Sequence, residues 1–455
     1  MYINKPFRPE AHVRKRTADI NPTANEKEKF LLFAIFLSVP FMLSFPALSI
    51  PAVFVFIYSA LTFHIPERKH VFHFALTVFL SLFTLTANGF FMDNPFLWVL
   101  MLFYFTAFIT LDIYALSYFS ARIKFAVTTA FAYIVFTRLM LSRFSFLFPL
   151  YYTLQSHYLP FTGIVSKYML PLLFEALVIT SPIAVFQTVK YKKYLSIAEF
   201  FIIPVVCMFF TVTYRHTMKI DAPATPLNVG FVQLSFLRQD YMLSDNYPGF
   251  GEKISKKYLA YAKKAPPVRL LIIPESSFPY IDFKNDLMLK ELKLLAKQNN
   301  QYIISGYYTM KKDKIYNSVI LISPDGKIAD IYSKNSVVPI FESKWATVSN
   351  EKLIFNIDGY KIQPLICYET VFMSAYNYRL SNLFTAVSNA VFSEGIAISK
   401  LHNAYGIFYA RTFNIPYLQI TQDGPSFYID RNYRLNFLSQ SGEISYDKVI
   451  ELFKN

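Results

Sequence analysis

Three short segments in the C-terminal half each end an apolar run on a group that can do chemistry. They are Leu-Leu-Ile-Ile-Pro-Glu at 270–275, Ile-Tyr-Ser-Lys at 331–334 and Pro-Leu-Ile-Cys-Tyr-Glu at 364–369. A reactive group at the end of an apolar strand is where an open α/β sheet brings side chains from separate strands to one crevice. Glu275 fits a general base and acid, and Cys367 fits a nucleophile. Lys334 fits a cation that lowers a thiol pKa and stabilises a tetrahedral oxyanion. The cation matters because the thiolate, not the thiol, is the effective nucleophile.

The surrounding sequence supplies elements to hold these groups. From about residue 220, β-rich runs at Asn228–Gln233, Arg269–Ile273, Tyr302–Tyr308, Ser318–Ser323 and Leu383–Ser388 alternate with helical patterns. Helices are predicted over about 250–264, 284–299, 370–381 and 396–413. Strands alternating with helices indicate one α/β domain, residues 220–455. No further hydrophobic span follows it, and Arg431–Asn455 reads as polar.

Composition separates that domain from what precedes it. The 455 residues are 54% hydrophobic and 18% aromatic with only 16% charged, which points to a membrane protein rather than a soluble or disordered one. Two Cys exclude a disulfide scaffold and a multi-Cys metal site. Residues 1–29 read as a basic cytoplasmic tail, and residues 30–214 as a seven-span bundle. The spans are expected at about 30–46, 49–64, 71–91, 95–118, 124–142, 165–187 and 194–214. The first two, with Pro40, Pro46 and Pro51, could instead form a tight hairpin or re-entrant pair.

Orientation follows from the charges. The tail carries Lys5, Arg8, Arg14, Lys15, Arg16, Lys27 and Lys29. With the N-terminus inside, Arg68, Lys69, Arg122, Lys124, Lys190, Lys192 and Lys193 also fall inside, while the long outer loop at 143–167 carries only Arg143 and Lys167. An odd number of spans puts the α/β domain outside. The net charge of +15 is thereby accounted for by topology, and no nucleic-acid partner is expected.

With these motifs in view, the chain resembles the nitrilase (carbon–nitrogen hydrolase) superfamily. Its layout is similar to the apolipoprotein N-acyltransferase family, in which a bacterial inner-membrane bundle carries a periplasmic nitrilase-like domain. Pro-Glu-Ser-Ser-Phe-Pro at 274–279 resembles the family's glutamate motif. Tyr332 to Glu342 resembles its lysine motif with a second glutamate, and Cys367-Tyr368-Glu369 is its cysteine motif unchanged. Val232-Gln233, Tyr316-Asn317-Ser318 and Ser388-Asn389 also match. The resemblance implies an α-β-β-α sandwich beside the helical bundle and a Glu275–Lys334–Cys367 triad. Glu342 and Glu369 would support it by orienting Lys334 or a mobile lid, with Tyr368 and Asn389 as further supporting residues. It further implies a phospholipid acyl donor, a cysteine thioester, and an amine acceptor that in the family is the N-terminal cysteine of a lipoprotein. No cofactor or metal is implied, and the protein would be a monomer. Departures gather around the substrate groove: Asp240-Tyr241-Met242, Phe341, Ala390-Val391 and Arg411-Thr412-Phe413-Asn414. They keep other acceptors in play, as in membrane-bound homologues associated with conjugal transfer. Hydrolysis by the same triad also stays open, as does a non-catalytic descendant.

Simpler readings apply elsewhere. Cys207 is expected to face core or lipid. Asp112, Arg138, Glu175 and Glu199 are read as charges near helix ends that reach the interface by snorkelling, with a functional role as the alternative. Lys253, Lys256 and Lys257 fit either a solvated helix face or contact with anionic headgroups.

Overall fold

The computed structural model describes residues 22–44, 46–62, 68–86, 95–123, 125–141, 151–152, 154–217, 225–236, 248–278, 286–338, 342–388, 396–422, 425–440 and 443–452. Eight helices come first: α1 (Pro22–Ser44), α2 (Pro46–Thr62), α3 (Arg68–Thr86), α4 (Pro95–Arg122), α5 (Ala126–Leu141), α6 (Pro160–Tyr168), α7 (Pro171–Tyr191) and α8 (Leu195–Thr217). Five of them open on proline, whose fixed φ suits the first helical turn and whose missing N–H costs nothing there. Where described, each of the seven expected apolar segments is helical, except that the sixth is interrupted at Met169–Leu170. The short α6 is an addition at the end of the expected 143–167 loop, and α1 takes in the last eight residues of the expected tail because Pro22 can open a helix.

Ile35, Val39, Phe56, Ile57, Phe74, Ile109, Ile134, Ile179 and Ile183 pack together inside this region. Phe72, Phe103, Leu111, Phe136, Phe201, Phe209 and Phe210 are exposed. Among the described residues, two helices are long and apolar enough to cross a membrane, Pro171–Tyr191 and Leu195–His216, and the apolar stretches of 47–62, 71–83, 102–118 and 126–140 are shorter. The snorkelling reading of the bundle charges is corrected. Arg138 is fully buried and bonds Asp112 at 2.8 Å, with Glu175 at 3.8 Å. Tyr152 reaches both carboxylates, through its hydroxyl to Asp112 (3.1 Å) and its N–H to Glu175 (2.7 Å). Glu199 accepts from the N–H and hydroxyl of Thr128. Interior charges are costly unless paired, and these are paired with one another or with hydrogen-bond donors rather than led out to an interface.

The α/β domain holds two six-stranded sheets. The first runs β12-β1-β2-β3-β4-β5 and the second β11-β10-β9-β8-β7-β6. In chain order the strands are β1 (Leu227–Phe231), β2 (Leu270–Phe278), β3 (Tyr302–Lys311), β4 (Lys314–Ile322), β5 (Ile328–Ser333), β6 (Phe355–Ile357), β7 (Tyr360–Ile366), β8 (Leu383–Ser388), β9 (Tyr417–Thr421), β10 (Phe427–Ile429), β11 (Leu435–Phe437) and β12 (Val449–Leu452). Parallel pairing of β1, β2 and β3, and of β7, β8 and β9, aligns their C-terminal ends within each sheet.

Helices α9 (Pro248–Lys264) and α10 (Leu287–Gln298) cover the first sheet, and α11 (Ile396–Phe413) covers the second. In α10, Leu289, Leu292, Leu295 and Ala296 are buried at helical spacing, and Asp286 caps the start by accepting from Met288 and Leu289 N–H. Between the sheets, Phe231, Ile272, Ile304 and Leu321 meet Ile362, Ile366, Val387 and Ile420. The result is the expected α-β-β-α sandwich.

One expectation fails locally. Residues 370–381 are not a helix but two short 3-10 turns, Cys367–Val371 and Met373–Ala375. Phe372 is extended at φ −108, ψ 125, which stops propagation while its ring packs into the core. The polar final stretch contributes β11 and β12, and β12 pairs antiparallel with β1 to close that sheet's edge.

Candidate functional site

Glu275 sits where β2 departs from regular pairing with β3, between Ile273 and Phe278. Pro274 lacks a donor for the ladder, and Ser276 adopts φ +55, so the strand kinks and presents Glu275. The kink is possible because β3 carries Gly306 opposite. A Cβ there would lie 2.4 Å from the Pro274 carbonyl oxygen and 2.5 Å from Glu275 Cα. The Glu275 backbone oxygen accepts from Gln422 Nε2 (2.9 Å), tying the bulge to the end of β9 in the other sheet.

Lys334 follows β5 directly and is fully buried. Its N–H donates to the Asn317 carbonyl (2.8 Å) and its carbonyl accepts from Ser349 N–H (2.9 Å). The Nζ bonds Glu275 Oε1 at 3.2 Å and Glu342 Oε1 at 2.8 Å. Asn317 Nδ2 donates to the same two oxygens, at 2.7 and 2.9 Å. Burial works against the Lys334 charge, but Glu275, Glu342 and Cys367 outweigh it and hold the ammonium above its ordinary range. Glu342 is fixed in turn by the Val338 N–H on its other oxygen (2.7 Å).

Cys367 begins the 3-10 turn after β7 with φ +45. A non-glycine residue there costs about 1 kcal/mol or more and persists only where its surroundings enforce it. Glu369 supplies much of that enforcement. It is buried and accepts from Tyr332 hydroxyl (2.8 Å), Asn335 N–H (2.5 Å) and Ile366 N–H (2.7 Å). The Cys367 turn is thereby pinned to the loop that carries Lys334. Burial raises the Glu369 carboxyl to about 7, against the pull of those donors and of Lys334.

Behind the turn, Thr370 hydroxyl donates to the Cys367 carbonyl (2.9 Å) and meets His402 Nε2 (2.9 Å). Burial lowers His402 to about 4. Tyr368 packs its ring edge-on to Phe372 at 4.8 Å in the core beneath α11, while its hydroxyl lies within the electrostatic reach of Lys334 and Glu342 and has its pKa pushed up by burial.

The fold thus brings together Glu275, Lys334 and Glu342 by direct contact, sets Cys367 in the electrostatic field of Lys334, and gives Glu369 a bracing position. Asn389 lies outside the described residues, as do Phe341, Ala390, Val391 and residues 240–242. Sequence reasoning did not single out Gly306, His402, Thr370 or Gln422, and it noted Asn317 only as a motif neighbour. The glycine two positions before the Tyr308 end of a predicted strand was an available signal for close backbone approach. A family model described as carbon-nitrogen hydrolase matches residues 243–380, the stretch containing Glu275, Lys334 and Cys367. Apolipoprotein N-acyltransferase 2 of Treponema denticola is 35% identical over 127 residues, 26% of this chain and 24% of that protein. The 2-oxoglutaramate amidase of Bacillus subtilis is 26% identical over 132 residues, 27% of this chain and 51% of that protein. The chain therefore spans about a quarter and about half of the lengths of these curated relatives. Among solved structures, an amidase from Nesterenkonia sp. aligns over 51% of this chain and 93% of its own, with 14% identity and a TM-score of 0.39.

Proposed function

Taking the chain as a divergent member of the carbon–nitrogen hydrolase superfamily, we propose that it is a membrane-bound acyltransferase of the bacterial inner membrane that works through a cysteine thioester. The observation that carries this reading is the buried Glu275–Lys334–Glu342 cluster facing the strained Cys367 turn. Glu275 takes the thiol proton as Cys367 sulfur attacks an ester carbonyl of a phospholipid, and Lys334 holds the charge that develops on the carbonyl oxygen. Collapse breaks the C–O bond, and Glu275 returns the proton to the leaving lysophospholipid alcohol. An amine then attacks the thioester and gives its proton to Glu275, which passes it to the Cys367 sulfur as the C–S bond breaks, and the chain ends on nitrogen. The acceptor is the N-terminal cysteine of a lipoprotein.

Several features support the membrane setting. Exposed Phe201, Ile202, Val205, Phe209 and Phe210 give α8 an apolar outer surface, and two helices have the length and apolarity to span. The basic residues gather on one side of the segments. A bilayer also keeps the acyl chain from crossing water, at about 0.8 kcal/mol per methylene.

A second reading, hydrolysis, has the amidase match in its favour, since it covers more of its relative than the acyltransferase match does. Water would then resolve the acyl-enzyme. Intact mass spectrometry after incubation with phospholipid, then with a diacylated lipopeptide, tests both. The expected result is a hydroxylamine-sensitive adduct, absent in Cys367→Ala, that disappears as the lipopeptide gains a chain. Release as free fatty acid with no acylated amine favours the hydrolase, and no adduct on a folded protein removes the thioester mechanism.

A further inference from the structure

The buried polar contacts behind the Cys367 turn do not stop at Thr370. Tyr417 hydroxyl contacts Thr370 and donates to Gln419 Oε1 (2.7 Å). Gln419 Nε2 donates to Asn403 Oδ1, and Asn403 meets the hydroxyl of Tyr158. Thr370, Tyr417, Gln419 and Asn403 are all buried. The path therefore begins at the Cys367 carbonyl, crosses β9 and α11, and ends on the 3-10 turn Leu154–Tyr158 of the helical region.

Space for it is built in. A Cβ at Gly406 of α11 would lie 2.5 Å from the Tyr417 hydroxyl. Arg411 fastens the same helical-region segment to α11 by donating to the His157 carbonyl (2.7 Å) and Thr162 hydroxyl (2.9 Å). Nothing in the acyl-transfer steps uses these groups, yet they converge on the one residue of the 3-10 turn held at positive φ.

We propose that His402 and Thr370 are positioning residues for Cys367, holding its carbonyl so that the turn presents the thiol towards Lys334, and that the chain running back to Tyr158 ties this geometry to the seating of the helical region. The Thr370 hydroxyl spends its one proton on the Cys367 carbonyl, so its lone pair receives the His402 Nε2–H. The His402 ring is itself within hydrogen-bonding reach of that carbonyl. A neutral ring suffices, and its lowered pKa keeps it neutral at physiological pH.

This rests on Cys367 being the nucleophile, so the test has one readout that needs no substrate. In a Cys207→Ser background of the full chain, iodoacetamide alkylation of Cys367 is timed beside acyl-enzyme formation from phospholipid. His402→Phe and Thr370→Val should slow both by about tenfold or more with the lipid KM within about twofold, since misplacing a reacting group acts on the rate. His402→Gln, which restores a donor near Nε2, should recover most of the rate, and Tyr158→Phe should show a smaller loss. Wild-type rates in His402→Phe would overturn the proposal, and so would a His402→Gln protein as slow as His402→Phe, since that would leave only packing. If the wild type forms no acyl-enzyme, the acyltransferase reading fails while the alkylation rates still decide this one.

Discussion

One ammonium faces two carboxylates at Lys334, and the balance predicts how the site breaks. Lys334→Met would leave the Glu275 and Glu342 carboxylates without the cation that both face in a buried site, a loss of about 3 kcal/mol or more. A melting scan should show that loss. It should be largely recovered in Lys334→Met/Glu342→Gln, where one negative charge is gone, while acyl-enzyme formation stays abolished in both. Recovery of activity in the double variant would mean that Lys334 holds structure only. The buried titrating groups give a second prediction. Glu369, raised to about 7, binds a proton in the folded state that the unfolded chain loses near 4.5, so its contribution falls as pH rises through that window. His402, lowered to about 4 from 6.5, contributes stability above 6.5 that is lost as pH falls towards 4. Between about 4.5 and 6.5 the two slopes oppose each other. His402→Gln removes one of them, so relative to wild type its melting temperature should decline more steeply from pH 5 to pH 7.5. Parallel curves would show that His402 does not carry this linkage. Of these residues, Glu275, Lys334, Cys367, Glu342 and Glu369 were legible in short motifs. His402 and Thr370 were not, because their role depends on a contact between α11 and the Cys367 turn that no local pattern encodes.

The elements were readable where burial imposes an uninterrupted apolar run, as in the Leu270–Ile273 half of β2, which matches the expected Arg269–Ile273, and in β8, whose limits are those expected. They were unreadable where tertiary contacts override local preference. Residues 370–381 carry a helical pattern, but the extended Phe372 and the bond from Tyr376 hydroxyl to the Thr370 carbonyl (2.8 Å) stop a helix there. Strand β12 has only four residues and gains its partner from β1, more than two hundred positions earlier. The bulge in β2 belongs with these, since it depends on a glycine in the neighbouring strand. Gly306→Ala would place a methyl against backbone atoms that cannot turn aside, so the bulge itself must move. We expect about 1–3 kcal/mol of destabilisation and a loss of about a hundredfold in acyl-enzyme formation as Glu275 shifts. Gly230→Ala is the control. Its nearest neighbours are Val268 methyl groups at 3.1 and 3.4 Å, which are side-chain atoms able to adjust, so activity should stay near wild type. Equal losses in the two variants would show general sheet damage rather than displacement of Glu275.

At the scale of the molecule, the helical region and the catalytic domain are joined by more than the chain between them. Tyr151 stacks on Phe408 with ring centroids 4.4 Å apart, Arg411 grips residues 157 and 162, and Arg215 near the end of α8 lies over the Tyr433 ring, 4.4 Å from its centroid. These contacts set α11, and with it the site, against the helices, so which side of a bilayer the site faces follows from how many helices cross. α6, with nine residues, is too short to cross. If the other seven all cross, the N-terminus and the catalytic domain lie on opposite sides. If α1 and α2 instead dip in and out as a pair, two crossings are lost and the parity is unchanged. Either way the turn at Lys192, between α7 and α8, shares its side with Arg122 and opposes the catalytic domain. In a Cys207→Ser/Cys367→Ala background, Lys311→Cys on the exposed end of β3 should therefore react with a membrane-impermeant maleimide in intact spheroplasts, and Lys192→Cys only after lysis. The reverse pattern would put the site on the cytoplasmic face, where the acceptor would have to be a cytoplasmic amine. Reaction of both before lysis would mean that α8 does not cross.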